Sequence, residues 1–258
     1  MTRGIVVFFA VAFGFTWLFQ LPALLATYGV IAGPAGRFLP LSGLGALGPL
    51  VAAVVAARSE GRPGAVRQVF RSLGQWRVHP GWYVLALFGS GALFVIGRAV
   101  YVLFGGSDAG PWIYPPVEPP RIAAMIFFPF GEEVGWRGYA QPRLQERIGA
   151  LGASVVIGTF WCLWHLVMFL VSGESVGTLV AMLPFFIGGS VASAWVYNRT
   201  RGSLLLAVLA HVGAHLNNTN RALPANVTPV VIHTVAFAVA ALVIVALDPS
   251  LGRSTKTA

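Results

Sequence analysis

Phe127-Phe128-Pro129-Phe130-Gly131-Glu132-Glu133-Val134-Gly135-Trp136-Arg137-Gly138-Tyr139 places two adjacent carboxylates and an arginine in the middle of a run apolar enough to cross a bilayer. Ionisable groups at that depth are costly to insert and mark a functional site by default. Glu133 and Arg137 stand four residues apart, so a helix puts them on one face, where they neutralise each other. Glu132 projects about 100° away from Glu133, leaving one carboxylate paired and the other available. Pro129 removes a backbone hydrogen bond and is expected to kink the helix beside them. Gly131, Gly135 and Gly138 form a small-residue face for close approach of a neighbouring helix.

The rest of the chain supplies the membrane context. Of 258 residues, 57% are hydrophobic and only 10% are charged, against about 25% charged in soluble domains. Mean hydropathy is +0.77. The net charge of +9 would raise nucleic acid as a partner in a soluble protein. Here the basic residues fall in short loops between apolar runs, where they set topology and meet anionic lipid, so the bilayer is the expected partner and nucleic acid is not. The single cysteine, Cys162, excludes an internal disulfide and a Cys-rich metal site.

Eight runs approach the roughly twenty residues that a span requires: about 4–28, 39–57, 82–104, 122–140, 151–172, 176–197, 203–217 and 228–247. The expected fold is all-α, a polytopic bundle of about eight transmembrane helices in one domain, 1–258, with a motif-bearing core at about 121–218. The first run is too long for a signal-peptide core and reads as a retained helix; the C-terminal residues show no lipidated-cysteine signal. Arg58, Arg62, Arg67, Arg71 and Arg77 crowd the second loop, which is therefore cytoplasmic. Eight spans then put Arg3, the Arg143/Arg147 and Arg199/Arg201 loops and the Arg253/Lys256 tail on the same side. Arg37, Arg121 and Arg221, with Asp108, Glu118 and Glu174, lie opposite. Both termini are thus expected in the cytoplasm, the membrane being the plasma membrane of a bacterium. Within 59–80, Val69, Phe70 and Leu73 among arginines suit a helix lying on the headgroups.

Sorted by depth, Glu132, Glu133, His165, His211 and His215 can meet in one central layer. His211 and His215 share a helix face, which Asn218 continues. Plainer readings stand beside this one: Glu133–Arg137 as an architectural pair, His233 as a helix-to-helix contact, Arg98 snorkelling outward, and Cys162 as a small filler. A carboxylate, histidines and an amide in a wet pocket suit peptide-bond hydrolysis, which needs a base for water, donors for the oxyanion and an acid for the leaving amine. No aspartate falls inside a span, which excludes a two-aspartate mechanism, and no His-Glu-x-x-His occurs.

These residues carry a resemblance. Glu132-Glu133-Val134-Gly135-Trp136-Arg137, followed by Pro142-Arg143-Leu144, resembles the Glu-Glu-x-x-x-Arg motif of the CPBP intramembrane proteases, which include CAAX prenyl endopeptidases and bacteriocin-processing proteins. Trp161-Cys162-Leu163-Trp164-His165 is similar to the family's second motif, with Trp for the commoner Phe. Leu209-Ala210-His211 opens a segment similar to the last, His-x-x-x-Asn, with His215 in place of the asparagine; a histidine donates a hydrogen bond as an amide does, but its protonation state then matters. The resemblance implies an intramembrane endopeptidase. Glu132 would be the base, acting with His165 on water; Glu133 and Arg137 would shape the site; His211 would stabilise the oxyanion. It implies a peptide or membrane-anchored protein substrate, prenylated in the eukaryotic branch. Metal-independent chemistry with no cofactor is the favoured expectation. The alternative is a zinc ion on His165, His211, His215 and Glu132, with Glu132 then a ligand and no longer the free base. A non-catalytic immunity factor or scaffold, and a small transporter using the Glu and His layer, are the readings from other classes.

Overall fold

The computed structural model describes residues 2–106, 112, 118–216 and 229–252. Among these there is no strand, and the described part of each apolar run is mainly helical. The first run is α1 (Arg3–Thr27), whose Thr2 side chain accepts from the Ile5 N–H and caps the first turn. The second is broken: a 3-10 turn, Ala35–Phe38, leads into α2 (Leu39–Gly45), and after Ala46-Leu47 the chain re-enters α3 (Gly48–Ser59) with Pro49 in the first turn. The second loop holds α4 (Ala65–Arg71), and α5 (Gly81–Leu103) is the third run. Among the described residues four stretches are long and apolar enough to cross a membrane, Arg3–Thr27, Ala35–Ser59, Gly81–Leu103 and Pro119–Val171.

The last of these joins two runs that the sequence separates. It comprises α6 (Pro119–Gly135), a π-helical turn Trp136–Ala140, α7 (Gln141–Trp164) and α8 (Leu166–Val171). The polar Gln141–Arg147 segment is itself helical, and the chain turns at Gly149, whose φ of 74° is open to glycine without a Cβ clash. α6 runs through Pro129, and the change of helical register falls instead at the wider turn just after the carboxylates. The sixth run is α9 (Val176–Ala181) and α10 (Leu183–Arg199); α11 (Leu204–Leu216) and α12 (Pro229–Leu247) are the seventh and eighth.

α6 lies between α3 and α11, α1 packs on α3, and α10 packs on α7 and α12. The glycines of α6 and the π turn make this possible. A Cβ at Gly131 would come within 2.9 Å of Leu47, and one at Gly138 within 3.2 Å of the Val69 carbonyl. At Gly135 it would meet the Pro49 carbonyl oxygen at 2.5 Å. The expected small-residue face is therefore real: the entry of α3 meets Gly131 and Gly135, and α4 meets Gly138.

The arginine-bearing loops meet at one end of the bundle, as the alternation of charge requires. Arg143 grips Glu60 with two bonds, Nε to Oε1 at 2.5 Å and Nη2 to Oε2 at 3.0 Å, while Arg62 reaches the same carboxylate at 2.6 Å. Arg199 pairs with Asp248 at 2.6 Å. Glu118 and Arg121, which pair with each other at the start of α6, belong to the other end. α4 lies at the basic end with Arg67 and Arg71 exposed, and its apolar side chains, Ala65 and Val69 with Val66, Phe70 and Leu73 beside them, pack on the bundle's own core. Arg98 departs from expectation. It does not snorkel outward but is 1% exposed, its guanidinium 4.8 Å from the centre of the Trp112 ring, because a cation over an indole face is stabilised without water. Cys162 is the small buried filler expected, its thiol on the Leu179 carbonyl. The His233 side chain and Asn218 lie outside the described residues.

Two tests follow from this packing. Gly135→Ala is expected to lower stability by about 1–3 kcal/mol, measured as thermal unfolding in detergent, whereas Gly14→Ala, where a Cβ meets nothing within 4 Å, is expected to be neutral. The second concerns acid. Burial pushes the Glu60 carboxyl up, but hydrogen bonds from Arg143, Arg62 and Tyr139 outweigh it and hold the group at about 2, below its ordinary 4.5. A folded-state value below the unfolded one means that this stabilisation is complete above pH 4.5 and disappears as the pH falls toward 2. The melting temperature of the wild type is expected to fall more steeply across that window than that of Glu60→Gln.

Candidate active site

Two buried carboxylates on consecutive residues of α6 are drawn into different networks, as their 100° separation dictates. Glu133 and Arg137 are both fully buried and bond through Oε1 and Nη1 at 3.2 Å. The same Glu133 Oε1 faces His211 Nδ1 at 2.9 Å. Arg137 reaches across to the Ser190 carbonyl on α10 at 3.4 Å, so the Glu133 carboxylate ties α6 to α11 and the Arg137 guanidinium carries the link on to α10. Arg137 sits in the π turn, which lets a residue on the helix after Glu133 keep its side chain turned back toward the carboxylates.

His211 and His215 stack one helical turn apart, with ring centroids 5.0 Å apart and Nε2 to Nε2 at 3.2 Å. Two imidazole nitrogens at that distance need one proton between them. A carboxylate only accepts, so His211 Nδ1 carries a proton toward Glu133. In neutral His211 the Nε2 is then the acceptor and His215 donates to it; in protonated His211 the direction reverses. His215, standing where the family has asparagine, is thus directed at His211.

Glu132 is 5% exposed and accepts a 2.6 Å hydrogen bond on Oε2 from the indole N–H of Trp161, on α7. It is not the unpartnered carboxylate that spacing alone implies, though Oε1 has no donor among the described residues. His165 stands at the break between α7 and α8, and its Nδ1 lies 2.8 Å from the Trp161 carbonyl. A carbonyl cannot donate, so the proton is on Nδ1 and Nε2 is left as a free acceptor. Glu132 lies within electrostatic reach of both His165 and His211.

All six residues expected from the sequence are therefore gathered, and Trp161 joins their two halves. Its N–H holds Glu132, its carbonyl holds His165, its ring lies edge-on to His211 at 5.3 Å, and the Arg137 guanidinium is 5.7 Å from its centre. The sequence reading treated this residue only as the aromatic position of a motif. The missed signal was its difference from phenylalanine: an indole has a donor that a buried carboxylate can use.

Three buried polar atoms here, Glu133 Oε2, Arg137 Nε and Ser190 Oγ, have no protein partner. Leaving such groups dry costs about 1–3 kcal/mol each, and a buried water among them removes that cost. Among the described residues no group of three or more His, Cys, Asp and Glu side chains is arranged to hold an ion; His211 and His165 direct Nδ1 at Glu133 and at a carbonyl.

Residues 119–217 match the family described as Type II CAAX prenyl endopeptidase Rce1-like. Over 170 residues the chain is 26% identical to CAAX prenyl protease 2 of Methanococcus maripaludis, an alignment that covers 59% of this chain and 61% of that relative. The chain thus spans about three fifths of the length of the curated relative it matches. The matched segment contains all three motifs and all six candidate residues, and over it the family resemblance is borne out.

Trp161→Phe, the commoner aromatic residue at this motif position, keeps an aromatic ring while removing the indole N–H together with part of the ring's buried volume. Loss of a bond to a charged group is expected to lower stability by about 1.5–3 kcal/mol, read from thermal unfolding, and combining it with Glu132→Gln is expected to cost less than the sum of the two single changes.

Proposed function

We propose that this integral membrane protein is an intramembrane endopeptidase that activates water between Glu132 and His165 and hydrolyses a peptide or membrane-anchored protein. The observation that carries the reading is that one residue, Trp161, holds both groups, Glu132 through Oε2 and His165 through Nδ1, which leaves Glu132 Oε1 and His165 Nε2 to serve as the acceptors. A water that donates one proton to each directs its lone pair at a carbonyl carbon, and the carboxylate takes the proton as the bond forms.

Glu133 and Arg137 do not touch the reacting atoms in this scheme. Glu133 fixes the proton of His211 on Nδ1 and stabilises the imidazolium, the role of the orienting carboxylate in other acid–base pairs. His211 then offers Nε2–H to the developing oxyanion, provided the proton is not shared with His215. His215 acts as the alternate acceptor for that proton and tunes how readily His211 donates. The sidedness read from the arginine loops puts cleavage near the cytoplasmic face.

The experiment compares membranes carrying the intact chain with membranes carrying Glu132→Gln or His165→Ala at equal expression. Uncleaved precursors are expected to accumulate in both variants, with turnover reduced by at least about 100-fold. An unchanged peptide profile, with the cellular phenotype of the wild type, would instead support a non-catalytic immunity or scaffold role.

A further inference from the structure

The basic end of the bundle contains a cavity of about 310 Å³, walled by α4 and the turn after it, the start of α7, and the turn between α10 and α11. This is at the lower end of the roughly 300–1,000 Å³ that holds small ligands. Arg62, Arg71, Arg143 and Arg201 line it. Opposing them are Glu146 in the wall and Glu60 beside Arg143 and Arg62, so four guanidiniums face two carboxylates and positive charge is in surplus.

The walls are tied to each other. Arg143 holds Glu60, Ser203 Oγ donates to the Gln75 carbonyl at 2.6 Å, and Arg201 donates through Nη2 to the Arg77 carbonyl at 2.6 Å. The positive φ of Arg201, 60°, belongs to the cap that ends α10, in which the Arg201 N–H bonds the Asn198 carbonyl and the Gly202 N–H the Tyr197 carbonyl. That cap and the side chain's bond to the Arg77 carbonyl hold Arg201 at the cavity wall.

We propose that this cavity binds the phosphate of an anionic lipid headgroup. The planar fork of arginine matches phosphate oxygens in pairs. The cavity lies where the arginine-bearing loops leave the apolar helices, the depth of the headgroup phosphates, and α4 beside it buries its apolar face and exposes its arginines. A free phosphate offers the same oxygens without the acyl chains, and the two sources separate by experiment. The site stands apart from Glu132 and His165 and does not depend on the proteolytic reading.

The test uses the full chain in neutral detergent, titrated with phosphatidylglycerol, with phosphatidylcholine and with inorganic phosphate, while thermal unfolding is followed. Phosphatidylglycerol is expected to protect the wild type more than phosphatidylcholine does. Its apparent affinity is expected to fall on the order of fivefold in Arg71→Gln and about 25-fold in the double variant Arg71→Gln/Arg201→Gln. Arg71→Gln leaves the Arg201 anchor intact and keeps the test available if the double variant does not fold. Protection by inorganic phosphate as strong as that by phosphatidylglycerol would overturn the lipid assignment in favour of a soluble phosphate. No preference for the anionic lipid, or a preference unchanged in both variants, would overturn the site itself.

Discussion

Everything in the centre of this bundle depends on seating two carboxyl groups and a guanidinium in a place that lipid makes expensive. Glu133 and Arg137 have no exposed surface, and an ion pair so buried contributes little net stability after desolvation, although breaking it is severe. The pair therefore works as a constraint. Arg137 must reach Glu133, the Ser190 carbonyl and the rim of Trp161 together, and that requirement fixes α6, α7 and α10 against each other more sharply than apolar packing would, since lipid tails compete on equal terms with apolar side chains.

The helices answer the same constraint. A carboxylate pair on α6 can be sealed from lipid only if its neighbours come close, and the three glycines at residues 131, 135 and 138 bring the backbone at Ala46-Leu47, Pro49 and Val69 into contact. The π turn then adds one residue of slack between Glu133 and the end of the helix, so that Arg137 and Tyr139 serve opposite ends: the first the buried centre, the second the Glu60 cluster at the basic face through a 2.9 Å hydrogen bond. Structure at the surface and structure at the site are thus continuous along five residues.

Much of this was legible in the residues themselves. Apolar length and the alternation of arginines gave the helices and their grouping by side, because both follow from transfer energies that depend on composition. The i,i+4 spacings gave Glu133–Arg137 and His211–His215, because a helix turns those spacings into contacts. What was not legible had no local cause. The π turn is a response to packing rather than to any residue in Trp136–Ala140. The burial of Arg98 against Trp112 joins positions 14 apart in sequence, and the joining of Glu132 to Trp161 spans 29; periodicity contains no information about either. Motif resemblance recovered the second only in part, pointing to the position without its hydrogen bond.

Trp161 anchors one acceptor with its backbone and the other with its side chain. Helices in a bilayer tilt and slide as lipid thickness varies, and a pair of groups held by two separate helices would drift with them. Glu132 on α6 and His165 at the end of α7 are such a pair, and what resists their drift is that both are bonded to one residue: sliding α6 past α7 must first break the indole hydrogen bond.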